Sequence, residues 1–332
     1  MRIYTETKAY SPSQNCPLVL IVGNFDGVHR GHQSLLARGI QEAARCQGKA
    51  AVLTFSKHPQ AVLHPSGGPS LLTRPEHKLF LLSGYGIEDC FMLPFTKEFS
   101  ELEAEQFVEQ ILVRQLGVHE VCLGYNAHFG YGRKGDVTLM KALAARFGFR
   151  FQETPPFKIA GEVVSSSRVR GLVQGGNLAQ VQSCLNRPYG ILCNVIRGAG
   201  LGKKLGFPTA NLDTVGLMIP PAGVYPVRVR VLTISPKLPV KKPLAEIDFQ
   251  PQAPWLQGVL NYGVRPTVDN VSASAIAEVH LPDFSADLYD QCLEVEFYPR
   301  LRAEKRFKNT QELKSQIIQD IKVMNNFFAE KE

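Results

Sequence analysis

The chain has 332 residues, 44% of them hydrophobic and 20% charged, with a formal net charge of +7. That length and apolar content suit two globular domains, and the longest apolar runs, such as Leu18–Val22, are far too short to cross a bilayer. The opening "MRIYTETKAY" lacks the charged-then-apolar pattern of a secretory signal, so a cytoplasmic setting is expected, and the positive balance suits anionic partners without any basic run or recognition motif that points to nucleic acid.

In chain order, "LVLIVGNF" is a short apolar run and reads as a buried strand. "GHQSLLARGIQEAARCQG" follows as a helix, with Leu35, Leu36, Ile40, Ala43 and Ala44 on one stripe and Gly48 as its stop. "KAAVLTF" is the next strand, and a strand–helix–strand unit of this size implies a parallel pair with a right-handed crossover. The alternation continues. "EHKLFLLSGYG" is helical, "IEDCFMLPF" extended, "ELEAEQFVEQILVRQLG" helical, "VHEVCLGY" extended and "DVTLMKALAARFG" helical. The first half is therefore an open α/β sheet.

The character changes near Asn186–Gly190. "VYPVRVRV" sets Val227, Val229 and Val231 against Arg228 and Arg230, and "LEVEFYP" sets Leu293, Val295 and Phe297 against Glu294 and Glu296, two glutamates read as solvated. Period-two runs broken by Gly/Pro turns indicate an antiparallel barrel or sandwich. The Pro-rich stretch from Leu232 to Gln257 reads as an exposed excursion of a hairpin. Leu313, Ile317, Ile321, Met324 and Phe328 form a stripe on a final helix that packs on the sheet. Seven scattered cysteines, none spaced C-x-x-C, read as buried free thiols.

Two constellations carry chemistry. His29 and His32 sit at the start of the first helix, just past the carboxyl end of the first strand, where open α/β sheets bind ligands. Free backbone N–H groups and the helix dipole favour an anion there. Gly23 and Gly27 allow a close backbone approach. Two imidazoles aimed at one spot can donate to phosphate oxygens and stabilise charge at an attacked phosphorus. Taken alone, the pair also fits a solvated surface or a partial metal site, although no third ligand is evident.

The second is "RGAGLGKKLGFPTANL", Arg197–Leu212. It fails as a Walker loop, because Gly198 and Gly202 have three residues between them and Lys204 stands where Ser or Thr is needed. Gly198, Gly200, Gly202 and Gly206 still make a loop able to cradle phosphates beside Lys203 and Lys204. Thr209 and Asn211 offer two hard oxygens on one side of an extended segment, suited to Mg2+. Glu278 in "AEVHL" shares a strand face with Ile276 and His280 and could take a proton from an attacking alcohol. A glycine-rich hairpin and a solvated glutamate remain the plain alternatives.

"GNFDGVHRGH" resembles the nucleotidylyltransferase signature in the form found in prokaryotic bifunctional riboflavin kinase/FMN adenylyltransferases (FAD synthetases). "TFSKHP", "LGYNAHFGYGRKGD" and "VSSSRVR" resemble further elements of that family in order, with Ala127 standing where the family commonly has an aromatic residue. "LGFPTANL" resembles the riboflavin kinase signature. "IPPAGVY", "GVLNYGVRPTV" and the stretch from "AEVHL" to "AEKRF" follow it in order.

The resemblance implies a Rossmann-like α/β nucleotidylyltransferase domain over residues 1–185. It implies an antiparallel β-barrel riboflavin kinase domain with a C-terminal helix over 186–332. It implies His29, His32 and Arg170 as the groups acting on the adenylylated phosphate and Glu278 as the kinase base. Thr209 and Asn211 are implied as holders of Mg2+. Gly23, Phe25, Asp26, Asn126, Ser165, Gly202 and Lys203 become nucleotide- or flavin-binding positions, with Arg302 on a flap over the substrates. The implied partners are small molecules: ATP as co-substrate, and the flavins riboflavin, FMN and FAD as substrates and products. A homo-oligomer is left open. The Leu232–Gln257 stretch is longer than the family leads one to expect.

Overall fold

The computed structural model describes all residues except 65–66, 199–201, 203–204, 236–242, 253, 265–274 and 332. The chain divides into two compact units, Met1–Ser166 with Ile234–Asp248, and Ser167–Thr233 with Phe249–Glu332.

The first unit is built on strands β1 (Arg2–Tyr4), β2 (Leu18–Val22), β3 (Lys49–Phe55), β4 (Asp89–Leu93), β5 (Val118–Gly124) and β6 (Arg150–Thr154). They lie in the order β1-β4-β3-β2-β5-β6, all parallel. This is the expected open α/β sheet. β2 is apolar throughout because it is central and covered on both faces; Val19, Leu20 and Ile21 are fully buried. The first helix, Arg30–Arg45, buries Leu35, Leu36, Gly39 and Ala43. Ala44 faces solvent instead of joining the stripe. Gly39 takes its place, since a Cβ there would lie 2.3 Å from Ile21.

β1 and β6 carry too few apolar residues to announce themselves. β1 is only three residues long and is held by burial of Ile3, by Tyr4 stacked on Phe91 at 4.9 Å and by Arg2 paired with the buried Asp89 at 2.6 Å. After β6 come a small antiparallel hairpin, β7 (Lys158–Ile159) with β8 (Glu162–Val163), and two helices, Ser166–Gln174 and Leu178–Leu185.

The second unit contains β9 (Tyr189–Ile196), β10 (Thr209–Leu212) and β11 (Gly223–Ser235). After β12 (Leu244–Glu246) it continues with β13 (Asp248–Pro251), β14 (Leu256–Val264), β15 (Ala275–His280) and β16 (Cys292–Phe297). The order β11-β14-β15-β10-β9-β16 closes through an antiparallel β16–β11 pairing into a six-stranded barrel, with β13 added to β11. Val227, Leu260, Ala277, Leu293 and Val295 are fully buried inside it, as period-two patterning requires. The last helix, Thr310–Ala329, packs on β14 and buries Met324 and Phe328 against Tyr298.

Two expectations need correction. The Leu232–Gln257 stretch is more than an exposed excursion: β12 pairs antiparallel with β1 and closes the edge of the first sheet, and Ile247 is buried. Three-residue strands leave no periodicity to read. Glu294 and Glu296 are not solvated. Glu294 is 6% exposed and paired with Arg230 at 2.7 Å, and Glu296 accepts from the Tyr298 hydroxyl at 3.1 Å while burial pushes its carboxyl up. The cross-strand register Arg230↔Glu294 and Arg228↔Glu296 neutralises this polar face, and Trp255 and Phe328 cover the two arginines. Of the cysteines, all free, Cys90, Cys122, Cys184 and Cys193 are buried as expected, while Cys16, Cys46 and Cys292 are half-buried.

Candidate active sites

In the first unit, strand order reverses between β2 and β5: β3 and β4 lie on one side, β5 and β6 on the other. Ligands bind open α/β sheets at the carboxyl ends of the strands at such a reversal. Gly23 leaves β2 there, and Asn126 follows β5 as an exposed residue. Between β2 and the first helix the chain turns sharply, with Phe25 (φ 53°), Gly27 (φ 83°) and Val28 (φ 40°) all in the left-handed region. Two non-glycine residues in that region store strain, which persists only where the surroundings fix it.

The surroundings are explicit. Asp26, 3% exposed, accepts from the Thr73 backbone N–H at 2.9 Å, the Thr73 hydroxyl at 3.1 Å and the Leu72 N–H at 3.2 Å. Gly27 N–H donates to Thr73 Oγ1 at 3.0 Å. Phe25 is fully buried, its ring 5.1 Å from that of His32. Phe25 and Asp26 thus hold the turn, while the histidines stand at its end.

His29 is the N-cap of the helix, its Nδ1 accepting the His32 N–H at 3.3 Å. With Nδ1 accepting, the neutral ring carries its proton on Nε2, a donor for a phosphate oxygen. The His29 and His32 rings stack at 3.7 Å with an interplanar angle of 13°. His32 Nδ1 is buried with no hydrogen-bond partner among the described residues. Burial, then the neighbouring His29 and Lys78, hold His32 well below its ordinary 6.5, so it is neutral at pH 7. Ser165 follows Val164, whose carbonyl lies beside Gly31, and Ser166 donates to the Asp26 carbonyl at 2.9 Å. The serine run is therefore helical at its end and reaches the turn. Arg170 lies one turn further along that helix, in the second unit, half-buried.

In the barrel, register brings the predicted kinase residues together. Thr209 stands opposite His280, and Asn211 opposite Glu278, which is also opposite Asn261 on β14. Directly opposed residues of antiparallel strands share a face. Thr209, Asn211, Asn261, Glu278 and His280 therefore rise from one face, while Ala277 and Val279 point into the core.

Gly198 and Gly202 press onto this face. A Cβ at Gly198 would fall 2.0 Å from Asn211 Nδ2, and one at Gly202 would fall 3.0 Å from Thr209 Oγ1 and 2.4 Å from the Phe207 carbonyl. Glycine is required at both by close approach. Lys203 lies outside the described residues. His280 is 9% exposed and its Nδ1 lies 2.7 Å from the Pro208 carbonyl, fixing the residue before Thr209. Glu304 sits over Gly263 on the same face, where a Cβ would meet its carboxylate. Arg302 is held by Asp320 of the last helix in a paired contact at 2.9 and 2.7 Å, with its charge matched there.

Thr209 and Asn211 supply two neutral oxygen donors, which fits a Mg2+ that keeps its waters and takes its remaining ligands from phosphates. Among the described residues no three His, Cys, Asp or Glu side chains form a metal cluster.

The family model for FAD synthetase matches residues 11–168 and that for riboflavin kinase matches 185–328. The bifunctional riboflavin kinase/FMN adenylyltransferase of Escherichia coli (strain K12) is 35% identical over 320 residues, 96% of this chain and 95% of that protein. The protein of the same name from Haemophilus influenzae is 34% identical over 315 residues, covering 95% of each. The chain belongs to the bifunctional riboflavin kinase/FMN adenylyltransferase family. A crystal structure described as a macrolide-efflux protein from Streptococcus pneumoniae matches 98% of both chains with a TM-score of 0.78 at 24% identity, which speaks to the fold alone. No helix among the described residues is long and apolar enough to cross a membrane.

Lys78, Thr54 and Glu304 are the residues near these sites that sequence reasoning missed. Lys78 lies among buried residues of a helix with no distinct polar face, Thr54 is only the first residue of "TFSKHP", and nothing in the spacing marks Glu304.

Proposed function

We propose that the chain makes both flavin cofactors in succession, with residues 186–332 forming FMN and residues 1–185 converting it to FAD. In the barrel, the 5′-hydroxyl of riboflavin attacks the γ-phosphorus of ATP. Glu278 takes the hydroxyl proton as the O–P bond forms, and ADP leaves with the broken bond's electron pair. Thr209 and Asn211 would hold Mg2+, which supplies charge neutralisation on the phosphates when bound. Gly198 and Gly202 lie close against Asn211 and Thr209, beside the position those phosphates would take. His280, through Pro208, orients Thr209. Arg302, held by Asp320, would have to exchange that partner to reach the substrates.

In the first unit, a phosphate oxygen of FMN attacks the α-phosphorus of a second ATP and pyrophosphate leaves. No covalent enzyme intermediate is needed, because the attacking group is already a phosphate. His29 and His32 donate hydrogen bonds to the charge that builds on the α-phosphate oxygens, and Arg170 matches it. His32, neutral at pH 7, acts as a donor and not as a cation. Asn126, Ser165 and Gly23 bind nucleotide and flavin, while Phe25 and Asp26 shape the turn. The partners are the small molecules ATP, riboflavin and FMN, and the setting is the cytoplasm.

The observation that supports this reading is the register Asn211↔Glu278, which puts an amide and a carboxylate side by side in a barrel that follows an open parallel sheet. The test is a pair of variants assayed for both reactions. Glu278→Ala loses riboflavin phosphorylation and keeps FMN adenylylation; His29→Ala with His32→Ala does the reverse. A folded variant that loses both activities contradicts the two-site assignment.

A further inference from the structure

Lys78 is a buried ammonium, 6% exposed, in the helix Pro75–Ser83. Its Nζ donates to the Phe55 carbonyl at 2.7 Å, Thr54 Oγ1 at 3.1 Å and the Asn24 carbonyl at 3.2 Å. An ammonium has three protons, so all three are used. Thr54 Oγ1, fully buried, itself donates to the Asn24 carbonyl at 3.1 Å. Asn24 begins the strained turn that delivers His29, and Thr54 and Phe55 end β3. A few residues before Lys78, Leu72 and Thr73 grip Asp26. The short stretch Leu72–Lys78 therefore holds the Asn24–Gly27 turn at both ends. Burying an ammonium costs several kcal/mol even when it is paired, and among these partners none is a carboxylate. A neutral side chain would close the end of β3 more cheaply, but would leave no positive charge close enough to act on His32.

We propose that Lys78 is a positioning residue for adenylyl transfer, fixing the Asn24–Gly27 turn against the end of β3 and setting a positive charge near His32. This rests on the reading of that turn as the adenylyl-transfer site. The titratable groups facing Lys78 are Asp26 from the turn, Cys90 from β4 and His32 from the first helix, which stacks on His29. Burial dominates over Cys90 and Asp26 and brings the ammonium down from 10.5 to about 8. The charge is therefore present at pH 7 and is lost in mildly alkaline solution. Arginine at this position stays charged throughout.

The test measures kcat and KM for FMN adenylylation and for riboflavin phosphorylation in the full chain, from about pH 6.5 to about pH 9.5. The wild type, Lys78→Arg and Lys78→Met are compared. The expected wild-type profile loses adenylylation kcat above pH 8 while phosphorylation shows no matching fall. Lys78→Arg moves that alkaline limb upward. Lys78→Met lowers adenylylation kcat on the order of 10²-fold, the scale of losing one preorganised charge-stabilising group, and leaves phosphorylation within about twofold. A folded Lys78→Met within about twofold of wild type in adenylylation overturns the proposal. So does a Lys78→Arg profile that superimposes on the wild type, which decides the matter even if Lys78→Met does not fold. A wild type that phosphorylates riboflavin but never adenylylates FMN overturns the underlying reading of the turn as well, and is recognised by failing before any variant is compared.

Discussion

Asn211 on β10 and Glu278 on β15 stand directly opposite each other in antiparallel register, so an amide oxygen and a carboxylate separated by sixty-odd positions in the sequence rise from adjacent strands on one face of the barrel. Thr209 and His280 repeat the relation two residues along. A shift of one residue in the β10–β15 pairing would turn Glu278 into the core and abolish the arrangement. Glu278→Gln keeps the size and the strand but removes the carboxylate proposed as the base. It is expected to lower riboflavin phosphorylation by about 10²–10⁴-fold with FMN adenylylation unchanged, measured by separate assays of the two steps.

His280 offers a milder probe of the same face. Its ring bonds the Pro208 carbonyl at 2.7 Å and packs edge-on to Phe207. His280→Ala frees that carbonyl and loosens Thr209 without touching Glu278. The expected result is a higher Mg2+ requirement for phosphorylation, with an apparent KM raised roughly tenfold for about 1.4 kcal/mol of lost interaction. Titration of the kinase rate with Mg2+ reads it directly.

Asp26 tests the clamp on the strained turn. Its carboxylate takes three donors from Leu72 and Thr73 in a dry environment. Asp26→Ala leaves two backbone N–H groups buried without acceptors, a loss of about 2–6 kcal/mol on the scale of about 1–3 kcal/mol for each. Denaturant unfolding of the variant is expected to show the first unit melting earlier, and FAD formation at moderate temperature falls with it.

The pH dependence of stability follows from His32. Its folded pKa lies well below 6.5, so between that value and 6.5 the unfolded chain binds a proton that the folded chain does not. Stability therefore rises with pH through this window and is lost as the solution is acidified below 6.5. His32→Gln removes the effect. Thermal melts of wild type and variant from about pH 5 to about pH 7.5 are expected to diverge on the acid side, with the wild type losing more.

The central strands were legible because burial on both faces makes β2 a continuous apolar run, and the barrel strands because one face alternates. The turn at Gly23–Gly27 was legible by composition, as were His29 and His32. The roles of Phe25 and Asp26 were not, because a glycine-rich signature does not say whether its aspartate faces a ligand or an N–H on a distant loop; Leu72 and Thr73 answer that only in three dimensions. Lys78 was hidden for the same reason, its acceptors lying on two strands far from it in sequence. β12 was missed because three residues at a sheet edge carry no period. Glu294 and Glu296 were misjudged because alternation reports a polar face without saying that paired arginines and Trp255 cover it.

That one chain performs two consecutive phosphorus reactions at separate sites is measured by incubating the purified chain with riboflavin, ATP and Mg2+ and quantifying the separated flavins over time. The predicted result is FMN appearing first and FAD following at its expense, with ADP and pyrophosphate released in step. Absence of both FMN and FAD would contradict the two-reaction assignment.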